Sequence, residues 1–263
     1  MASIFIGLIM TQNEREEQRK AVEHALEAVY EVANDVHRYI DEDFNDAVNQ
    51  PNFQELAAQL VPDAQQQAEQ GLSRSSLAQI AEIIRSCKKC PLGNLRQHAV
   101  PGEGAMNARL MVVGEGPGRQ EDAVGKPFVG KAGVYFDTWL RAIGMSREFN
   151  VYITNIVKCR PPENRNPSPQ EALTCLPYLK RQIALVKPDL ILCLGKVAAH
   201  FLLERNDTLR AMRNSIHRFG DIPVVVTYHP AAVLRNTDLR SPVWEDLKQV
   251  ANVLDLPLNQ RGH

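Results

Sequence analysis

The chain has 263 residues, 44% of them hydrophobic, enough to bury a sizeable core in one large domain or in one domain with an appendage. Its formal charge of -1 conceals a division: residues 1–74 hold 5 Lys and Arg against 14 Asp and Glu, whereas residues 75–263 hold 25 against 17, so only the second part suits a polyanion such as DNA. Five cysteines, an odd number, in a chain with no convincing export signal argue against a disulfide-stapled secreted scaffold and for metal binding or burial.

The opening stretch Met1 to Met10 is apolar but short, with no basic flank and no small-residue cleavage site, and is read as neither signal peptide nor membrane span. The expected location is therefore the cytoplasm, beside the nucleoid if the partner is DNA. From Glu14 to Ile40 the apolar residues Ala21, Val22, Ala25, Leu26, Val29, Val32, Val36 and Ile40 recur at three- and four-residue steps, which predicts an amphipathic helix. Residues 41–76 turn polar and suggest a linker with one short helix near Phe53 to Leu60. Ser75 or Ser76 then offers an N-cap for a helix through Leu77, Ile80, Ile83 and Ile84 to Cys87.

Further on, the pattern alternates. Arg109 to Gly114, Val151 to Val157, Asp189 to Leu194 and Ile222 to Thr227 are nearly continuous in Val, Ile and Leu and read as buried parallel strands. Helical stretches at Ala132 to Ile143, Pro169 to Val186, Lys196 to Leu203 and Pro242 to Leu254 lie between and after them. The expected fold is α/β: a three-layer α/β/α arrangement with a four-stranded, mainly parallel sheet, its sites at the carboxyl ends of the strands. Residues 75–263 would form this domain and residues 1–74 an acidic helical extension.

Cys87 and Cys90 form a C-x2-C pair at a helix end, and Cys159 and Cys175 a second pair downstream. Four thiolates from two close pairs could hold zinc or an iron-sulfur cluster, and spacing does not choose between them. The ordinary alternative is that some of them are buried thiols. Pro161 to Pro167 cannot be helical and is expected to loop over the cluster, after which Ser168, Pro169 and Glu171 supply an N-cap, a helix-starting proline and a capping-box acid. Cys193, inside a strand run, reads as core.

After the first strand come Gly114-Glu115-Gly116-Pro117-Gly118, glycines that let a backbone approach a flat heterocycle or a phosphate. Pro117 breaks the dinucleotide-binding spacing, no helix is expected directly afterwards, and Gly125-Lys126-Pro127 lacks the Ser or Thr of a phosphate-binding loop. Asn155 ends the second strand, and Tyr228-His229-Pro230 follows the fourth. A lone Asn or His at a strand end is more often a structural hydrogen-bonder, but these two share one sheet edge with the glycine turn.

Taken together, the glycine turn at Gly114 to Gly118, Gly125-Lys126-Pro127-Phe128-Val129-Gly130-Lys131-Ala132-Gly133, Thr154-Asn155-Ile156-Val157-Lys158-Cys159-Arg160-Pro161-Pro162 and His229-Pro230-Ala231-Ala232-Val233-Leu234-Arg235-Asn236 resemble the family 4 uracil-DNA glycosylases from about Leu77 to Leu254. The resemblance covers nothing in the first seventy-odd residues. It implies a [4Fe-4S] cluster on Cys87, Cys90, Cys159 and Cys175, and an enzyme that hydrolyses the N-glycosidic bond of uracil in DNA; no lysine nucleophile stands out in these motifs, which predicts a monofunctional enzyme that leaves an abasic site. By the same resemblance, flipped-out uracil lies against the backbone of Gly114, Glu115 and Gly116 and stacks on Phe128. Asn155 reads its edge and His229 donates to O2. The position that carries a water-positioning Asp in better-known uracil glycosylases looks like Gly116 here, which leaves Glu115 or Glu121 as candidates to orient water or to brace the loop.

Val233 and Leu234 would form a wedge in the vacated stack with Arg235 on a phosphate, the alternative being a plain hydrophobic turn. Arg205, Arg210, Arg213 and Arg218 are further candidates for phosphate contact. The chain is expected to act as a monomer on uracil-containing DNA, away from membranes. The acidic extension would dock a protein partner or fold back over the basic face as a DNA mimic, or else be a dispensable tail. The rival to a repair enzyme is a non-catalytic iron-sulfur DNA-binding or polymerase-associated module of the same fold; a zinc-bound nucleotide-binding protein fits the cysteine spacing but not the other motifs.

Overall fold

The computed structural model describes Leu72 and residues 74–258. All of these belong to the second of two units into which the chain divides, Met1–Asp46 and Ala47–His263. The apolar opening, the helices expected over 14–40 and 53–60, and nearly all of the linker lie outside the described residues.

The four Val/Ile/Leu runs become β2 (Leu110–Gly114), β3 (Val151–Asn155), β4 (Leu190–Leu194) and β6 (Ile222–Thr227). Every residue of the first three is buried, because helices cover both faces of the sheet; that is why these strands read as continuous apolar runs and not as alternating ones. Two short strands, β1 (Glu103–Gly104) and β5 (His217–Phe219), form the edges and pair antiparallel with β3 and β6. The order is β1-β3-β2-β4-β6-β5, with β3, β2, β4 and β6 mutually parallel. The expected four-stranded sheet is thus corrected to six strands. The additional two are only two and three residues long and partly polar, so they carry no hydrophobic run; short edges of this kind also discourage pairing with other chains. Gly104 permits the first of them, since a Cβ there would stand 2.1 Å from the Val151 carbonyl oxygen.

Alternation along the strands divides the core. Met111, Val113, Ile191, Cys193, Val224 and Val226 belong to one apolar cluster with residues of α1 (Leu77–Ser86), α5 (Pro169–Val186) and α6 (Lys196–Leu203). Leu110, Val112, Leu190, Leu192 and Val225 belong to another with α4 (Lys131–Ala142) and α9 (Arg240–Val253). The architecture is a mixed α/β fold with helices flanking a central sheet, and Cys193 is fully buried in it.

Local signals explain the helix starts. Ser76 and Gln79 form a reciprocal capping box on α1, and Ser168 and Glu171 form another on α5 with Pro169 in its first turn. One expectation is overturned: α3 (Arg119–Val124) begins directly after Gly118. Glu121 and Asp122 in its first turn favour the helix dipole, and left-handed Gly125 stops it, a start and stop that the interrupting Pro117 masked. The Pro161 to Pro167 segment holds a 3-10 turn at Pro162–Asn164, with Glu163 and Asn164 left-handed. Short helices α2 (Leu92–Leu95), α7 (Leu209–Arg213) and α8 (Pro230–Arg235) complete the path. No helix among the described residues is long and apolar enough to cross a membrane.

Candidate active site

Parallel pairing sets Gly114 at the end of β2 beside Asn155 at the end of β3. The chains stay together beyond the strands, where Ile156 N donates to the Gly114 carbonyl at 2.9 Å and Val157 N to the Glu115 carbonyl at 3.0 Å. A Cβ added to Gly114 would lie 2.4 Å from Asn155 Oδ1 and 2.9 Å from Phe128 Cζ, so the amide and the aromatic ring converge on this glycine. Asn155 is 1% exposed, and its Oδ1 has no hydrogen-bond partner. A buried acceptor left unpaired costs roughly 1–3 kcal/mol, which a donor on a ligand would recover. Beneath it, Lys158 Nζ donates to the Asn155 carbonyl at 2.6 Å, to Thr154 Oγ1 at 2.6 Å and to Gln182 Oε1 at 2.8 Å. Complete burial brings the Lys158 ammonium down to about 8, against the opposing influence of Cys175 and Cys159.

Phe128 is itself buried, in a left-handed conformation at φ 53°. Its ring centroid stands 5.6 Å from that of His229 and 5.7 Å from that of Phe136. Glu121 Oε1 accepts from Val129 N and Gly130 N, both at 2.9 Å. Arg147 donates to the Pro127 and Phe128 carbonyls at 3.2 and 3.1 Å and is paired with Asp137 at 2.6 Å. Gly133 has to be glycine, since a Cβ there would stand 1.9 Å from the Phe128 carbonyl oxygen.

His229 caps α8 after β6, its Nδ1 accepting from Ala231 N at 3.2 Å. With Nδ1 as acceptor, the neutral ring carries its proton on Nε2, the arrangement of a donor. The strand below is braced by Asp246, whose Oδ2 accepts from Thr227 Oγ1 at 2.6 Å and from Arg213 Nε at 2.8 Å. Arg213 also lies 4.3 Å over the Tyr228 ring. Burial pushes the Asp246 carboxyl above its usual range, while Arg213 and Thr227 oppose the shift.

The remaining expected residues fall out differently. Glu115 and Gly116 are half-buried at the turn. A Cβ on Gly116 would stand 2.7 Å from Val157 Cγ2, so a side chain at this turn would require Val157 to shift. Glu121 accepts through Oε1 from the backbone N–H groups of Val129 and Gly130, after Phe128. Val233 is fully buried in the core and only Leu234, 45% exposed, protrudes, beside a half-buried Arg235. Arg213, paired and buried, is unsuited to a phosphate; Arg205 pairs with Asp207, Arg218 donates to the Asp221 carbonyl, and Arg210 is exposed. Arg147, Asp137, Lys158, Gln182 and Asp246 were not singled out from the sequence. Only Lys158 carried a signal there, as a charge directly after the apolar pair Ile156-Val157.

The cysteines require a correction. Cys87, Cys90, Cys159 and Cys175 line one pocket, with Arg96 and Tyr178 among the other walls. Among the described residues, however, no group of three or more His, Cys, Asp or Glu side chains could hold a metal ion, and the expected [4Fe-4S] cluster is set aside on that finding. Burial pushes the Cys175 thiol up to about 12 and raises Cys159 and Cys90, with Arg96 opposing the shift at Cys159. Arg96 Nη1 donates to Cys159 Sγ at 2.8 Å and the Tyr178 hydroxyl to Cys87 Sγ at 3.3 Å.

Residues 101–248 match the family model of the uracil DNA glycosylase superfamily. A type-4 uracil-DNA glycosylase of Pyrobaculum aerophilum is 45% identical over 179 residues, covering 65% of this chain and 91% of the relative. One from Archaeoglobus fulgidus is 42% identical, covering 68% and 93%, and one from Saccharolobus solfataricus is 42% identical, covering 66% and 85%. These matches leave about a third of this chain uncovered.

Proposed function

This chain belongs to the uracil DNA glycosylase superfamily as a type-4 member, and from that membership we propose that it excises uracil from DNA by hydrolysing the N-glycosidic bond, leaving an abasic site. The observation that carries the reading at the level of residues is the buried, unpaired Oδ1 of Asn155 beside the Phe128 ring at Gly114. A pyrimidine entering there stacks on the ring and offers its N3–H to that oxygen, while the Asn155 Nδ2 donates to O4. Cytosine has an acceptor at N3 and a donor at position 4, the reverse pattern, so a held amide discriminates between the two.

Bond cleavage leaves the electron pair of the glycosidic bond on uracil N1 and positive charge on the sugar. The His229 Nε2–H stabilises the departing anion at O2, and water then adds to the sugar C1′ and loses a proton to solvent. Lys158 supports the monofunctional assignment, because its ammonium is already taken up by three oxygens below the site and is not presented to the sugar. Leu234 is the side chain exposed for the gap in the base stack, with Arg235 beside it for a phosphate. Residues 75–263 constitute the glycosylase domain in this reading, and the oppositely charged residues 1–74 an extension to it. The relatives matched over nearly their whole length are themselves glycosylases, and the non-catalytic rival has no better support.

The reading is tested with an end-labelled oligonucleotide that carries a single uracil, incubated with the protein and then treated with hot alkali. Strand scission at the uracil only after the alkali step is the expected outcome. An intact strand would defeat the proposal, and scission without alkali would defeat the monofunctional part of it.

A further inference from the structure

We infer that Arg147 and Asp137 are positioning residues for the Phe128 plate, a charged clamp that keeps the ring facing the incoming base; the inference rests on the reading of Phe128 as the stacking surface. A phenylalanine at φ 53° occupies a backbone region that residues with a Cβ visit rarely, so something outside the residue has to hold it there. Three anchors surround it. Downstream, the Glu121 carboxylate takes the N–H groups of Val129 and Gly130. Upstream, one guanidinium donates to two successive carbonyls, Pro127 through Nη1 and Phe128 through Nη2. Gly133 brings the first turn of α4 against the Phe128 carbonyl and leaves no slack for the loop to move back.

Arg147 is held in its turn. Asp137, on α4, accepts from Nε at 3.0 Å and from Nη2 at 2.6 Å, with the two side chains 21% and 30% exposed. The planar fork of an arginine can serve two carbonyls and a carboxylate at once, which a lysine ammonium at the same place cannot do in this geometry. Without the clamp, Phe128 is released toward ordinary negative φ, and its ring leaves Gly114 and the His229 imidazole. The effect on catalysis is therefore routed through one aromatic ring.

A double-mutant cycle separates this from plain support of the loop. kcat/KM on a uracil oligonucleotide is measured for the wild type, Phe128→Ala, Arg147→Gln and the double variant, together with affinity for DNA that carries a tetrahydrofuran abasic analogue, which has no base to stack. Arg147→Gln is expected to lower kcat/KM about tenfold, as small misplacements near a reacting group do. In the Phe128→Ala background it should add less than about twofold, because contacting residues that act as one unit are not additive. Abasic-DNA affinity should stay within about twofold of the wild type. Equal losses in both backgrounds would overturn the clamp. Phe128→Ala without effect would instead overturn the stacking reading and take the clamp with it. Asp137→Asn, which keeps the side-chain shape and leaves Arg147 in place, covers the case in which Arg147→Gln does not fold; it should show a smaller loss with the same dependence on Phe128, and an undiminished loss without the ring would count against the inference.

Discussion

Gly114 sits where the amide of Asn155 and the ring of Phe128 come closest, with room between them for a hydrogen and not for a methyl group. Gly114→Ala should therefore lower kcat/KM on uracil DNA by about a hundredfold by displacing the reading amide and the plate. Its cost in stability should stay within about 1–3 kcal/mol, as for a modest overpacking. Steady-state kinetics beside thermal melting distinguishes the two effects, and a fall in stability with unchanged kinetics would remove Gly114 from the site. The strand-end Asn155, the glycine turn and His229 could be picked out from the chain because each interrupts an apolar run with a residue type suited to a base. Arg147 and Asp137 could not, since they are ordinary charges in a helix and a loop until the fold brings them to the Phe128 backbone. Val233 and Leu234 read alike as neighbours in sequence; only the turn of α8 buries one and exposes the other.

At the scale of elements, the end of β6 depends on a buried ion pair. Arg213 and Asp246 have side chains 8% and 1% exposed, and Asp246 also holds Thr227 two residues before His229. Arg213→Met should cost about 3–5 kcal/mol near neutral pH, because it leaves a buried carboxylate without its cation. The sign with pH follows from burial. Asp246 already titrates above its usual range in the folded protein, and loss of Arg213 raises it further. A raised carboxyl contributes stability below its unfolded pKa and loses it as pH rises through the folded one, so the deficit of the variant should shrink in acid. Urea unfolding near neutrality and in mild acid measures both, and a deficit independent of pH would show that packing on Tyr228 is the main loss. None of this was visible in the chain, where Arg213 stands among three other arginines and looks like a phosphate contact. The four central strands were visible because both their faces are covered, whereas the edge strands, being short, left no pattern to read.

For the molecule as a whole, the described residues of the basic part carry the sheet, the site and the family match, while residues 1–74 hold the acidic excess. The cysteine spacing was informative about folding, since two pairs far apart in the chain do line one pocket, but thiol spacing carries no information about burial or about what each sulfur is bonded to. The central claim is that a fixed amide at Asn155 chooses uracil over cytosine, and it is tested by single-turnover excision from paired oligonucleotides that differ only in carrying uracil or cytosine, with wild type and Asn155→Asp. An aspartate keeps an acceptor for N3–H but sets negative charge against O4 and offers an acceptor to the amino group of cytosine. Uracil excision should fall about a hundredfold and the preference over cytosine should narrow by at least as much. A variant that excises uracil at the wild-type rate and still rejects cytosine as strongly would contradict the account.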